Sequence, residues 1–288
     1  MPATRIEGLT DCHMHVFGPI DRYPGAPDRT YTPERMGLAE YAPVAARLGA
    51  DRIVIVQPSA YGTDNRATLD GLATLGDKGR AVVVIDDSFD DATLDAYERQ
   101  GVRGIRLNLM TPRITDAAAA EATLLAAGQR IARLGWHIQI YADLDLVALL
   151  APAARKSAVP VVFDHMGGSK AAAGPDVPGF GVLLDLLKEG KCWVKLSGAD
   201  IVTWETSDFS GATPFARALI AANPHQLIWG SDWPHLVHHN SGRGDAAPPA
   251  GYRPVNEEKL IEALAGWAGD EATLRAILVD NPARLYRF

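Results

Sequence analysis

His13 and His15 flank a single methionine in Asp11-Cys12-His13-Met14-His15. Residues two apart on an extended strand face the same way, so both imidazoles can enter one hollow. Much later in the chain, Phe163-Asp164-His165 and Ser231-Asp232-Trp233-Pro234-His235 carry matching groups. His13, His15, His165 and Asp232 together could hold a divalent ion, or could polarise a carbonyl while the carboxylate activates water. Each has a plainer reading when taken alone. A strand-end histidine usually satisfies a hydrogen bond, and Asp232 could cap its own turn. Those readings do not explain why all four fall where apolar runs end. His235, three residues beyond Asp232, is added as a candidate substrate contact.

A second group would recognise charge. Val102-Arg103-Gly104-Ile105-Arg106-Leu107-Asn108 sets Arg106 and Asn108 on one face. A guanidinium in a low-dielectric mouth needs a carboxylate, supplied by a ligand or by the protein. Arg106 is therefore read as a clamp for an anionic substrate, with an internal ion pair as the alternative. Arg113 could add a second cationic arm or lie in solvent, and the hydroxyls of Tyr31, Ser59 and Tyr141 could bind carboxylate oxygens or satisfy buried backbone. His137, His225, His238 and His239 are given no role. Gly62-Thr63-Asp64-Asn65 reads as a cap for the following helix.

Eight runs rich in Val, Ile and Leu must position these groups: Ile6–Val16, Arg52–Gln57, Ala81–Asp86, Val102–Asn108, Trp136–Tyr141, Val159–Asp164, Cys192–Ser197 and Leu227–Gly230. Between them lie segments of helical spacing, among them Thr115–Leu134, Leu144–Ser157, Phe180–Glu189 and Pro214–Ala222. Strands alternating with helices make a parallel sheet, and eight units without a break in composition predict an α/β fold: a single (β/α)8 TIM barrel domain over residues 1–288. A doubly wound sheet is the competing architecture. It would place a glycine-rich phosphate turn after the first strand, where Asp11-Cys12-His13-Met14-His15 stands instead. Further helices are expected near Glu257–Leu264 and Ala272–Val279, the latter stopped by Asn281-Pro282. In such a barrel the chemistry gathers at the C-terminal ends of the strands, where the polar groups above fall. Two long loops, Phe17–Pro33 and His235–Pro254, follow strands and belong to the same face.

The 288 residues carry 28 Lys and Arg against 35 Asp and Glu, a formal charge of −7, which disfavours nucleic acid or an anionic membrane as partner. No apolar run approaches the roughly 20 residues of a bilayer span and no signal-peptide core is evident, so a cytoplasmic location is expected. Cys12 and Cys192 sit in apolar runs and read as buried, reduced thiols.

Taken in order, Asp11 to Pro19, Val56-Gln57-Pro58-Ser59, Gly101 to Asn108, Asp164-His165-Met166-Gly167, Val194 to Gly198 and Trp229 to His235 resemble the amidohydrolase superfamily. Within it they are similar to the 2-pyrone-4,6-dicarboxylate lactonase-like branch, which also contains isomerases of sugar-acid lactones. The resemblance covers essentially the whole chain and implies a distorted barrel. It implies that Asp232 takes a proton from attacking water, that His13, His15 and His165 polarise the lactone carbonyl, and that Tyr31, Ser59, Arg106, Arg113 and Tyr141 hold a substrate carboxylate. Many superfamily members bind one or two metal ions through further ligands on the fourth and fifth strands. Here Arg106 and Asn108 stand near the first place and Tyr141 near the second, which argues against a binuclear centre. The branch resembles enzymes that need no cofactor; one divalent ion such as Zn²⁺ on His13, His15, His165 and Asp232 is the alternative. One departure bears on substrate. Ser197-Gly198-Ala199-Asp200-Ile201-Val202-Thr203 has no basic residue where pyrone dicarboxylate enzymes place an arginine. A lactone with one acidic group, muconolactone-like or aldarolactone-like, is expected ahead of the pyrone dicarboxylate. An isomerase of such lactones, an aromatic-acid decarboxylase and a sugar-acid binder without catalysis are the competing functions.

Overall fold

Short apolar strands buried on both faces need cover on both faces, and the arrangement follows from that requirement. In the computed structural model, which describes residues 6–109, 116–237, 244 and 247–288, eight strands join in sequence order into one parallel sheet. They are β1 (Thr10–Met14), β2 (Arg52–Val56), β3 (Gly79–Val83), β4 (Val102–Asn108), β5 (His137–Tyr141), β6 (Val161–Phe163), β7 (Trp193–Lys195) and β8 (Leu227–Ile228). The chain after β8 returns to β1: the Cys12 N–H donates to the Trp229 C=O at 2.9 Å and the Asp232 N–H to the His13 C=O at 2.8 Å. A parallel bridge joins Met14 to Trp233. This closure makes the expected TIM barrel, and it also sets Asp232 beside His13.

Ile53, Ile55, Val83, Ile138 and Ile140 pack in the core shared with the helices, whereas Cys12, Val54, Val56, Val82, Val162 and Ile228 form a separate interior cluster. Along β1 the register shifts between Asp11 and Met14. Cys12 therefore joins the interior cluster while its neighbour His13 also turns inward, which strict alternation would not allow.

Helices α1 (Leu38–Leu48), α2 (Arg66–Leu75), α3 (Asp91–Gln100), α4 (Ala117–Ile131), α5 (Leu144–Lys156), α6 (Pro178–Lys188), α7 (Thr213–Ala222) and α8 (Glu257–Ala268) cover the barrel. Their starts follow from capping carboxylates and amides: Asp90, Asp116, Asp143 and Asn256 each accept a backbone N–H from the first turn. Asn65 precedes α2 but does not cap it with its side chain. That amide instead ties the loop to the end of β3, donating to the Val84 C=O at 2.7 Å and accepting from the Val84 N–H at 3.0 Å. Nor does Asn281-Pro282 end the last helical segment. A π-turn over Ala276–Asp280 leads into Asn281–Tyr286, with Pro282 in its first turn, where a missing N–H costs nothing.

The two long loops have structure of their own. Thr32–Pro33 pairs in parallel with Pro249–Ala250, so the loops after β1 and β8 are joined over one end of the barrel. Both cysteines are buried and free. Among the described residues no helix is long and apolar enough to cross a membrane.

Candidate active site

Three barrel strands, β1, β6 and β8, deliver the expected cluster of four side chains. The Asp232 Oδ1 lies 3.4 Å from His13 Nε2, 3.7 Å from His15 Nε2 and 3.7 Å from His165 Nε2. All four residues are buried. Asp232 and His165 both adopt left-handed backbone, φ 67° and 52°, a conformation costly for residues with a Cβ, at the turns that aim these side chains. Two glycines give the cluster room. A Cβ on Gly230 would lie 2.5 Å from that of His13, and one on Gly198 would lie 2.7 Å from His165 Nδ1.

Ring orientation is fixed from behind. The His15 Nδ1 is 2.8 Å from the Val56 C=O, which only accepts, so Nδ1 carries a proton. His165 Nδ1 meets Ser197 Oγ at 2.9 Å. Burial disfavours charge on all three rings: His13 is pushed well below the ordinary histidine range, by burial first and by Lys195 next, His15 to about 3 and His165 to about 4. A neutral His15 that donates through Nδ1 presents a bare Nε2. The three rings therefore cannot all act as donors to one carbonyl oxygen. Asp232 is raised well above the ordinary carboxylate range by burial, and then by the charges of Asp200 and Asp164.

Beneath the cluster lies a polar layer that sequence reading passed over. Lys195 is wholly buried, donating to the Cys12 C=O at 2.9 Å and to Gln139 Oε1 at 2.7 Å. Gln139 Nε2 donates to Asp164 Oδ2 at 2.9 Å, and Asp164 Oδ1 lies 3.6 Å from the Lys195 ammonium. Burial would raise the Asp164 carboxyl, but Lys195 and His13 together outweigh it and hold it well below the ordinary range. The available signal was a lysine at an inward position of an otherwise apolar run, Val194-Lys195-Leu196.

Arg106 reaches the same region, its Nε 4.0 Å from Asp164 Oδ2 and its Nη1 donating to the Gln57 C=O at 3.1 Å. Tyr141 turns its ring edge to His165 with centroids 5.5 Å apart. Ser59 donates to the buried Tyr31 hydroxyl at 3.4 Å. Arg113 lies outside the described residues. His235 is directed elsewhere: its buried ring lies 3.7 Å from Asp200 and 3.9 Å from Glu257, both carboxylates of the protein. His235, expected as a substrate contact, thus has two protein carboxylates beside its ring. Asp200 also takes the Arg253 guanidinium at 2.8 Å. The cation near the end of β7 thus comes from a distant loop and is already matched. His137, buried at the other end of β5, meets the edge of Tyr286 with centroids 5.2 Å apart.

The donor set suits a divalent cation. The carboxylate, the bare His15 Nε2 and His13 Nε2, a buried atom without a hydrogen-bond partner among the described residues, converge within 4.8 Å. A second candidate group, His13, Asp164 and His165, includes the carboxylate already facing the Lys195 ammonium. A cation there would meet like charge, so the geometry favours one ion over two.

The family model described as amidohydrolase matches residues 10–288. The chain is 33% identical to a 2-pyrone-4,6-dicarboxylate hydrolase of Comamonas testosteroni, over 97% of this chain and 90% of that protein. It is 29% identical to a D-galactarolactone isomerase of Agrobacterium fabrum, over 97% and 91%. A crystal structure of a probable 2-pyrone-4,6-dicarboxylic acid hydrolase from Acinetobacter baumannii, with citric acid bound, superposes with a TM-score of 0.81 at 25% identity, covering 98% of this chain and 100% of the other.

Proposed function

The chain belongs to the amidohydrolase family, and from that premise we propose that it is a single-domain enzyme opening the ring of a carboxylated lactone by hydrolysis. The observation that carries this reading is the meeting of one buried carboxylate oxygen with three imidazole Nε2 atoms at 3.4 to 3.7 Å.

Asp232, once ionised, accepts a proton from the water that attacks the lactone carbonyl. Its raised pKa makes it a stronger base than an exposed carboxylate, and it then carries the proton to the departing ring oxygen. Imidazole N–H donation, from the rings other than His15, stabilises the oxyanion as it forms, with little reorganisation needed because the ring orientations are fixed from behind. Arg106, Tyr31, Ser59 and Tyr141 hold the substrate's acidic group, with Arg113 as a further arm. Asp200 supports a substrate with one acidic group, because it matches Arg253 and sets negative charge near the end of β7.

Turnover in this reading needs no metal. Where a divalent cation such as Zn²⁺ is bound, His13, His15, His165 and Asp232 hold it, and it supplies a Lewis acid for the carbonyl and a more acidic water. The experiment is a product assay by NMR on a panel of carboxylated lactones, with and without chelator. A ring-opened hydroxy acid formed in both conditions supports the proposal. Conversion to an isomeric lactone assigns the base to a substrate hydroxyl instead. Release of CO2, or binding without product, rejects hydrolysis.

A further inference from the structure

Lys195 is a wholly buried charge that the reaction above does not use. An ammonium has three N–H groups to place. One goes to the Cys12 C=O at 2.9 Å and one to Gln139 Oε1 at 2.7 Å; the third has His13 Nδ1 at 3.4 Å, within hydrogen-bond reach, and Asp164 Oδ1 farther off at 3.6 Å. Asp164 Oδ1 lies 3.5 Å from the same Nδ1 and has no hydrogen-bond partner among the described residues. His13 Nδ1 therefore faces one donor and one acceptor. Which of them it answers decides whether its proton sits on Nδ1 or on Nε2.

The far side of the ring breaks the tie. His15 presents a bare Nε2 to Asp232 Oδ1 at 3.7 Å, since its own proton is committed to the Val56 C=O. If His13 also kept its proton on Nδ1, a second lone pair would face that oxygen at 3.4 Å. With the proton on Nε2, His13 turns an N–H instead of a lone pair toward the ionised Asp232, 3.4 Å away, and its Nδ1 takes the third Lys195 N–H. We propose that Lys195 is a positioning residue that holds His13 as its Nε2–H tautomer, so that the two imidazoles of β1 have opposite roles. His13 donates to the substrate carbonyl oxygen, and His15 accepts. The donor's target rests on the proposed hydrolysis; the tautomer does not. A cation held through His13 would need the opposite tautomer, and Asp164 Oδ1 stands where it could take the displaced proton.

The test is a long-range proton–nitrogen NMR correlation on protein labelled with ¹⁵N histidine and freed of metal by chelation, with His13 assigned by its loss in His13→Gln. The wild type is expected to show His13 protonated on Nε2 and His15 on Nδ1. In Lys195→Met the His13 proton should move to Nδ1, facing Asp164, while Lys195→Arg keeps the wild-type pattern. A wild-type His13 protonated on Nδ1, or an unchanged pattern in folded Lys195→Met, overturns the proposal. If Lys195→Met does not fold, the wild-type spectrum alone decides. Absence of lactone turnover with this tautomer pattern intact would count against hydrolysis and leave the assignment standing.

Discussion

Arg106 and Asp200 are charged residues in different settings, the first loosely paired and the second closely matched by the protein. Arg106 has only a 4.0 Å approach to Asp164 among its described ion pairs, so it keeps capacity for an anion. Replacing it with Met should raise KM for an acidic lactone about thirtyfold, some 2 kcal/mol, with little effect on the methyl ester of the same compound. Steady-state kinetics on the matched pair checks this, and an equal effect on acid and ester would contradict it. Asp200 is buried between His235 and Arg253. Burial raises its carboxyl, but these partners outweigh burial and lower it. A lowered folded pKa contributes stability above the unfolded value of about 3.9 that is lost as pH falls through the folded one. Asp200→Asn should therefore melt below wild type at neutral pH, with a cost of about 3 kcal/mol. The gap between the two melting temperatures should close as pH drops through the carboxylate range.

Among the elements, closure of β8 against β1 matters most to the site, because it brings Asp232 to His13. The Gly230 position is where the two approach, and an added Cβ would meet His13 backbone nitrogen at 2.6 Å as well as its Cβ. Gly230→Ala should cost about 1 to 3 kcal/mol and lower kcat together with the melting temperature, measured by calorimetry and assay on the same preparation. The strands, their order and the convergence of four side chains were legible in sequence, since inward polar groups ending Val- and Ile-rich runs leave a clear pattern. Lys195 and Gln139 were not, because each makes sense only against partners on other strands. The same holds for Arg253, which reaches Asp200 from 53 residues away. Asn281-Pro282 misled because proline ends one helix and begins another with the same local signal. The setting of His235 was not legible either, because chain proximity to Asp232 does not determine where a ring points after a left-handed turn, φ 62°.

Over the whole molecule, the barrel separates stability at one end from chemistry at the other. Leu285 and Tyr286, from the last helix, fill the interior with Val54, Val82 and Val162, in a cluster that does not include Asp232. Tyr286→Ala should lower stability by about 3 to 5 kcal/mol in denaturant titration while leaving kcat of the folded enzyme near wild type. A large loss of kcat at full folding would show that the two ends are coupled. The central claim is that Asp232 delivers water to a lactone carbonyl. A single turnover in ¹⁸O water, read by mass spectrometry and NMR, tests it most directly when wild type and Asp232→Asn are compared. One ¹⁸O is expected in the newly formed carboxylate for the wild type, and a rate about 10³-fold lower or worse for a folded Asp232→Asn. Product without solvent oxygen, label on the released hydroxyl, or near-normal turnover in the variant would contradict it.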